Sequence, residues 1–180
     1  MIIILQLIWL FLPAGIANMA AAISAKILPK WSQPIDFGRN FRGQRIFGDH
    51  KTWRGLIFGT IGGGLIFLLQ KYLYNNYLCF QQIDIVDYEQ LNIFFGLVVG
   101  FGALCGDLIK SFFKRRVNIP AGKSWFPFDQ IDWVIGAMVL GLFFVNLSWG
   151  QILITLFLGI TIHLLAKVFA YLLGIERQWL

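Results

Sequence analysis

Five long apolar runs divide this chain and limit its fold more than any other feature. They cover about residues 2–28, 53–74, 91–109, 131–149 and 151–173. A hydrocarbon core of ~30 Å takes about 20 helical residues to cross, and lipid offers the backbone no outside hydrogen-bond partner. The runs therefore predict an all-α integral membrane protein with five transmembrane helices, built as a single domain over residues 1–180. Composition agrees: 58% of residues are hydrophobic, 13% are charged and mean hydropathy is +0.70, outside the range of soluble domains. A cleaved signal peptide is the poorer reading of the start, because MIIILQLIW carries no basic residue and its run exceeds a signal core.

The net charge of +6 could suggest nucleic acid, but its placement points to a bilayer. Lys26, Lys30, Arg39, Arg42, Arg45, Lys51 and Arg54 fill or flank the first polar segment, residues 29–51. Lys110, Lys114, Arg115, Arg116 and Lys123 fill another, so twelve of the 15 basic residues lie in two loops. That is the positive-inside pattern. It makes both basic loops cytoplasmic, with the N-terminus outside and the C-terminal GIERQWL inside. The segment at 75–90, with Asp84, Asp87 and Glu89 and no Lys or Arg, faces the other way. Trp149-Gly150 reads as the turn of a tight hairpin between the last two runs.

Small residues predict how the helices meet. Gly55, Gly59 and Gly63 are spaced by four, as are the pairs Gly96/Gly100 and Gly102/Gly106, and such stripes let backbones approach closely. The triple glycine at 62–64 lies deep in an apolar run with no following Lys, so it is no phosphate cradle. Asn18, His163 and Lys167 read first as hydrogen-bonding glue between helices, with substrate contact the second reading for Asn18 and lipid-phosphate contact for the other two. Cys79 and Cys105 imply neither a disulfide nor a metal site.

The chemistry gathers in GALCGDLIKSFFKRRVNIPAGKSWFPFDQID, residues 102–132. Asp107 stands where the third run ends, and an acid so near lipid is a functional candidate; the alternative is an ion pair with Lys110 or Lys114. If a helix begins at Pro127, Asp129 and Asp132 share one of its faces. Carboxylates beside a basic loop suit a divalent metal and a polyphosphate. Asp36, Asp49 and His50 among the arginines of the first loop are more than topology requires. No Ser-His-Asp, CxxC, HExxH or Rossmann pattern is present. A small transporter would spread its polar residues through several helices, whereas these collect on one side.

The two loops together carry a resemblance. The first contains Pro34-Ile35-Asp36-Phe37-Gly38 and Gly48-Asp49-His50-Lys51-Thr52-Trp53-Arg54-Gly55. The second contains Gly106-Asp107, Lys110-Ser111, Lys114-Arg115, Gly122-Lys123-Ser124 and Pro127-Phe128-Asp129-Gln130-x-Asp132. Over essentially its whole length the chain resembles the CDP-archaeol synthases, a compact branch of the membrane-embedded CTP-dependent cytidylyltransferases. The Lys-Thr-Trp-x-Gly and Pro-x-x-Asp-x-x-Asp elements are shared with phosphatidate cytidylyltransferases; the length and the PIDFG and GKSWFPFDQID forms favour the archaeol branch. His50 stands where a glycine is expected, and Lys167 where a smaller polar residue is usual.

The resemblance implies transfer of a cytidylyl group from CTP to an unsaturated isoprenoid diether glyceryl phosphate, on the cytoplasmic side of the cell membrane. It implies Asp107, Asp129 and Asp132 as Mg²⁺ ligands and catalytic residues, with Lys114 also catalytic. Lys114, Arg115 and Lys123 would hold the triphosphate. Asp49, Lys51, Thr52, Arg54, Lys110 and Ser111 would complete substrate binding, and no nucleic acid is expected. A diacyl phosphatidate substrate and a CTP-dependent lipid kinase are the alternatives that the same residues would serve.

Overall fold

The computed structural model describes residues 2–83, 85–120 and 123–172. In chain order it contains α1 (Ile2–Ile27), a hairpin of β1 (Asn40–Phe41) and β2 (Gln44–Arg45), α2 (Trp53–Asn76), the short α3 (Leu78–Gln81), α4 (Phe95–Arg116), α5 (Phe128–Gly141) and α6 (Trp149–Leu172). Among these, α1, α2, α4 and α6 are long and apolar enough to cross a membrane. At 14 residues α5 is about 21 Å long and falls short of the core thickness. Expectations for Asp84, Gly122 and the C-terminal GIERQWL fall outside the described residues.

The glycine stripes act as their spacing predicts. A Cβ on Gly59 would lie 2.7 Å from the Ala17 carbonyl oxygen and one on Gly63 would lie 2.8 Å from that of Gly96, so α2 packs backbone against α1 and α4. The α4–α5 contact is tighter still. A Cβ on Gly102 would reach 2.5 Å from the Gly136 carbonyl oxygen, and one on Gly106 would collide with that of Asp132. Around these contacts Leu10, Phe11, Phe67, Phe95, Val99, Trp133 and Val134 form the buried core. Large apolar side chains such as Leu65, Phe157 and Phe169 point outward, as lipid contact requires.

Pro13 interrupts α1 and lacks the N–H that would bond the Trp9 carbonyl one turn earlier. Gln70 Nε2, buried on α2, donates to that freed oxygen at 2.6 Å. A polar residue in the second run thus repairs a helix defect in the first, which is the condition for a proline inside lipid.

Several boundaries differ from those expected, among them the start of α4 at Phe95 rather than near 91. Helix α4 continues to Arg116 rather than stopping near 109, because its basic residues are paired: Lys110 and Lys114 meet carboxylates, and the Arg116 guanidinium lies 4.1 Å from the Phe112 ring centroid. Asp107 therefore sits within a helix. Helix α5 starts at Phe128, with Pro127 as its cap, and stops at Gly141, so residues 142–148 form the link to α6. Trp149-Gly150 is the first turn of α6, not a hairpin turn. Ser148 and Gln151 cap it reciprocally: Ser148 Oγ accepts from the Gln151 N–H at 3.4 Å, and Gln151 Oε1 accepts from the Ser148 N–H at 2.7 Å. Ser-Trp-Gly-Gln is a capping box, a helix-start signal in the sequence.

Candidate active site

The site lies at the end of the bundle where α1 finishes and α2 begins, where α4 finishes and α5 begins. The two basic loops meet there: Arg116 Nη1 donates to the Arg45 carbonyl at 2.9 Å, and Gln44 bonds Asn118.

Asp36 organises the first loop. Its side chain is fully buried and accepts N–H groups from Gly38 (3.0 Å), Phe47 (3.0 Å) and Gly48 (3.1 Å), together with Arg45 Nη2 at 2.6 Å. Burial works to raise its pKa, but Arg45 and the three backbone donors outweigh it and hold the carboxyl well below the usual range. The same pairing, with Asp49 adding to it, raises the pKa of Arg45. Gly48 takes φ +102°, which a side chain would strain, and lies against the Arg115 guanidinium.

This knot sets Lys51 and Thr52. The Ile35 N–H donates to the Lys51 carbonyl (2.8 Å) and the Trp53 N–H to the Gln33 carbonyl (3.1 Å), so the PIDFG segment clamps Lys-Thr-Trp. Thr52 Oγ1 then caps α2 by accepting the Gly55 N–H at 3.2 Å. Lys51, projecting from this fixed corner, pairs with Asp107 on α4.

Backbone contact at Gly102, Gly106 and Gly136 brings the other carboxylates to the same place. Lys110 Nζ lies 3.0 Å from Asp107, 2.8 Å from Asp129 and 3.0 Å from Asp132. Lys114 Nζ contacts both Asp129 oxygens, at 3.1 and 3.0 Å. Asp129 also accepts the Trp125 N–H at 2.6 Å, and Asp132 accepts the Trp133 N–H at 2.7 Å. Asp129 and Asp132 thus share a face of α5, as their spacing predicts. The ion pair weighed as an alternative role for Asp107 is present too, with Lys110 and, beyond expectation, with Lys51. As it stands, no set of three His, Cys, Asp or Glu side chains among the described residues is arranged to hold a metal ion: the convergence point is taken by an ammonium group.

Beside the cluster is a cavity of about 440 Å³ between α1, α2 and α4. Its lining mixes polar side chains, Asn18, His50, Lys51, Arg54 and Asp107, with apolar ones, Ala21, Ala22, Leu56, Leu104 and Leu108. Asn18, expected first as glue and second as a substrate contact, is a wall residue of this cavity. Arg54 is anchored by Nη1 donating to the Leu28 carbonyl at 2.5 Å.

The remaining expected site residues lie further out. Ser111 is buried on α4. The Arg115 Nη1 donates to the Ile119 carbonyl at 3.0 Å, at the base of the second loop. Asp49 is exposed and paired with Arg45, and Lys123 is exposed. Sequence reading gave Asp36 no site role of its own; its signal was Asp-Phe-Gly, an acid before a glycine at φ +79°, which builds a turn around the carboxylate.

Against known proteins, the CarS-like CDP-archaeol synthase family model matches residues 1–180. A CDP-archaeol synthase of Methanocaldococcus jannaschii is 35% identical over 173 residues, 96% of this chain and 94% of that protein. One of Pyrococcus abyssi is 36% identical over 171 residues, 93% of each. A solved structure, described as an intramembrane enzyme for archaeal membrane lipid biosynthesis, matches with a TM-score of 0.74 and 28% identity, covering 92% of this chain and 94% of its own.

Proposed function

The chain belongs to the CDP-archaeol synthase family, and on that premise we propose that its carboxylate–lysine cluster and adjoining cavity carry out cytidylyl transfer to a lipid phosphate. The enzyme is a nucleotidyltransferase of membrane lipid synthesis: CTP and an unsaturated diether glyceryl phosphate yield CDP-archaeol and pyrophosphate. The observation that carries the site assignment is the convergence of Asp107, Asp129 and Asp132, from two helices, beside a cavity lined by both cationic and apolar side chains.

A phosphate monoester is already a nucleophile at neutral pH, so no Ser or Cys is required. Its oxygen bonds to the α-phosphorus of CTP while the bond from that phosphorus to the bridging oxygen breaks, and pyrophosphate leaves with the electron pair. Catalysis is then positioning and charge neutralisation. Lys51 and Arg54 receive the lipid phosphate in the cavity, with Thr52 fixing their corner and the lipid chains meeting its alanine and leucine side chains. Lys114, Arg115 and Lys123 take the triphosphate, and Lys114 opposes the charge that develops on leaving pyrophosphate. Ser111 and Asp49 border the substrate region.

The three aspartates fit Mg²⁺ in donor type, since all their ligand atoms are hard carboxylate oxygens. They would hold it once Lys110 yields its place, and the ion would supply charge neutralisation of the polyphosphate.

In the bilayer, α5 with the 142–148 link completes a fifth crossing, the N-terminus lies outside and the site faces the cytoplasm. The clustering of basic residues at the site end supports this orientation. A product assay tests the function: purified protein, labelled CTP and Mg²⁺ with either a diether glyceryl phosphate or a diacyl phosphatidate. CDP-diether is the expected product. CDP-diacylglycerol would move the lipid assignment, γ-phosphate transfer would mean a kinase, and no nucleotide consumption by folded protein would overturn the proposal.

A further inference from the structure

Among the described residues at the carboxylate cluster, only Lys110 touches all three acids, at 3.0, 2.8 and 3.0 Å. Each acid also has a holder of its own. Asp107 has Lys51, Asp129 has Lys114 and the Trp125 N–H, and Asp132 has the Trp133 N–H. Taking Lys110 away would leave each carboxylate oriented by its second partner, but the convergence point without a cation. Three lysines, Lys51, Lys110 and Lys114, balance three aspartates, so the cluster is neutral by itself. The lysine is also the movable member. Its ammonium rides on a four-carbon stem that can swing without a backbone shift, whereas short side chains on glycine-packed helices hold the acids.

We infer that Lys110 is a built-in counter-cation: it competes with a divalent metal for Asp107, Asp129 and Asp132, and must release them before an ion can bind at full strength. The inference rests on the metal reading proposed above and adds how that site is regulated. An ammonium at the ligand point opposes metal in the bare protein. A triphosphate offers Lys110 an alternative anion, which favours arrival of the metal together with nucleotide. Free metal alone then binds weakly, and binding of the two ligands is mutually reinforcing.

The test measures Mn²⁺ binding directly, by loss of the free-ion electron paramagnetic resonance signal, in detergent-solubilised full-length protein without nucleotide. Lys110→Met is expected to bind Mn²⁺ at least ~10-fold more tightly than wild type, since a unit charge opposing the ion has gone. Lys110→Arg keeps the charge and can grip carboxylates with a planar fork, so it is expected to bind Mn²⁺ several-fold more weakly than wild type. The arginine variant retains the counter-charge that Lys110→Met removes and gives a reading even if the methionine variant does not fold. Mn²⁺ affinities equal to wild type in the folded variants, with wild type binding Mn²⁺ in the presence of CTP, would overturn the inference and leave the metal reading intact. Failure of wild type to bind Mn²⁺ even with CTP would remove the metal reading, and this inference with it.

Discussion

Two acidic centres stand side by side at one end of the molecule, and they are held by different kinds of donor. Asp36 takes three of its four named bonds from backbone N–H groups and the fourth from an arginine fork. Backbone donors cannot leave without unfolding the loop, so this centre is permanent. Asp107, Asp129 and Asp132 take most of their bonds from lysine ammonium groups on flexible stems. Those partners can exchange for a metal or move to phosphate without disturbing a helix. An acid tied to the backbone builds the fold, whereas one tied to lysine side chains remains available for chemistry.

Substitutions at the two centres should separate accordingly. The largest effect is expected from Asp132→Asn, which leaves the helix contact intact and removes one charge at the convergence point. Cytidylyl transfer should fall on the order of 10³-fold, a loss typical of removing one electrostatic contact in a reaction centre, with the melting temperature in detergent near wild type. Retained activity in that variant would break the comparison at its functional side. Gly106→Ala comes next: a methyl group meeting the Asp132 carbonyl oxygen forces α4 and α5 apart, at a cost of about 1–3 kcal/mol of stability. Activity should fall further than stability does, because the carboxylates ride on those two helices; denaturation and turnover measured together check this.

Asp36→Asn should reverse the pattern. A stability loss of about 1–3 kcal/mol is expected as a buried charged acceptor is weakened, with proteolysis accelerated in residues 29–51. The loss in turnover should follow that loosening. The pH dependence sharpens the same point. The folded-state pKa of Asp36 lies below its ordinary value of 3.8, so its stabilisation is complete above that value and is lost as pH falls toward the folded-state pKa. Unfolding curves from pH 7 to pH 3 should show that acid-side loss in wild type, and less of it in Asp36→Asn. The smallest effect is expected at exposed Lys123: Lys123→Ala should raise KM for CTP only a few-fold, as solvent-facing charges contribute little, with kcat almost unchanged.

The amino-acid sequence by itself determined the membrane class, the side on which charge collects, the close-packing glycine faces and the reaction family, because each is written in local composition, period or motif. The pairing of Asp129 with Asp132 was legible too, since i and i+3 share a helix face wherever the helix goes. The ends of α4 and α5 were less so. Ion pairing to another segment extends α4 through its basic residues, and the capping box at Ser148 begins α6 where a turn was expected. Other features were decided by tertiary structure alone. Gln70 repairs the break at Pro13, Asp36 knots the first loop, Asn18 lines a cavity, and Lys110 joins three aspartates that lie 22 and 25 residues apart in the chain, from Asp107 to Asp129 and Asp132. Each depends on which groups meet across helices or, for Asp36, across the turns of one loop. Burial demands a partner for every polar group, but only the packed bundle decides which one is within reach.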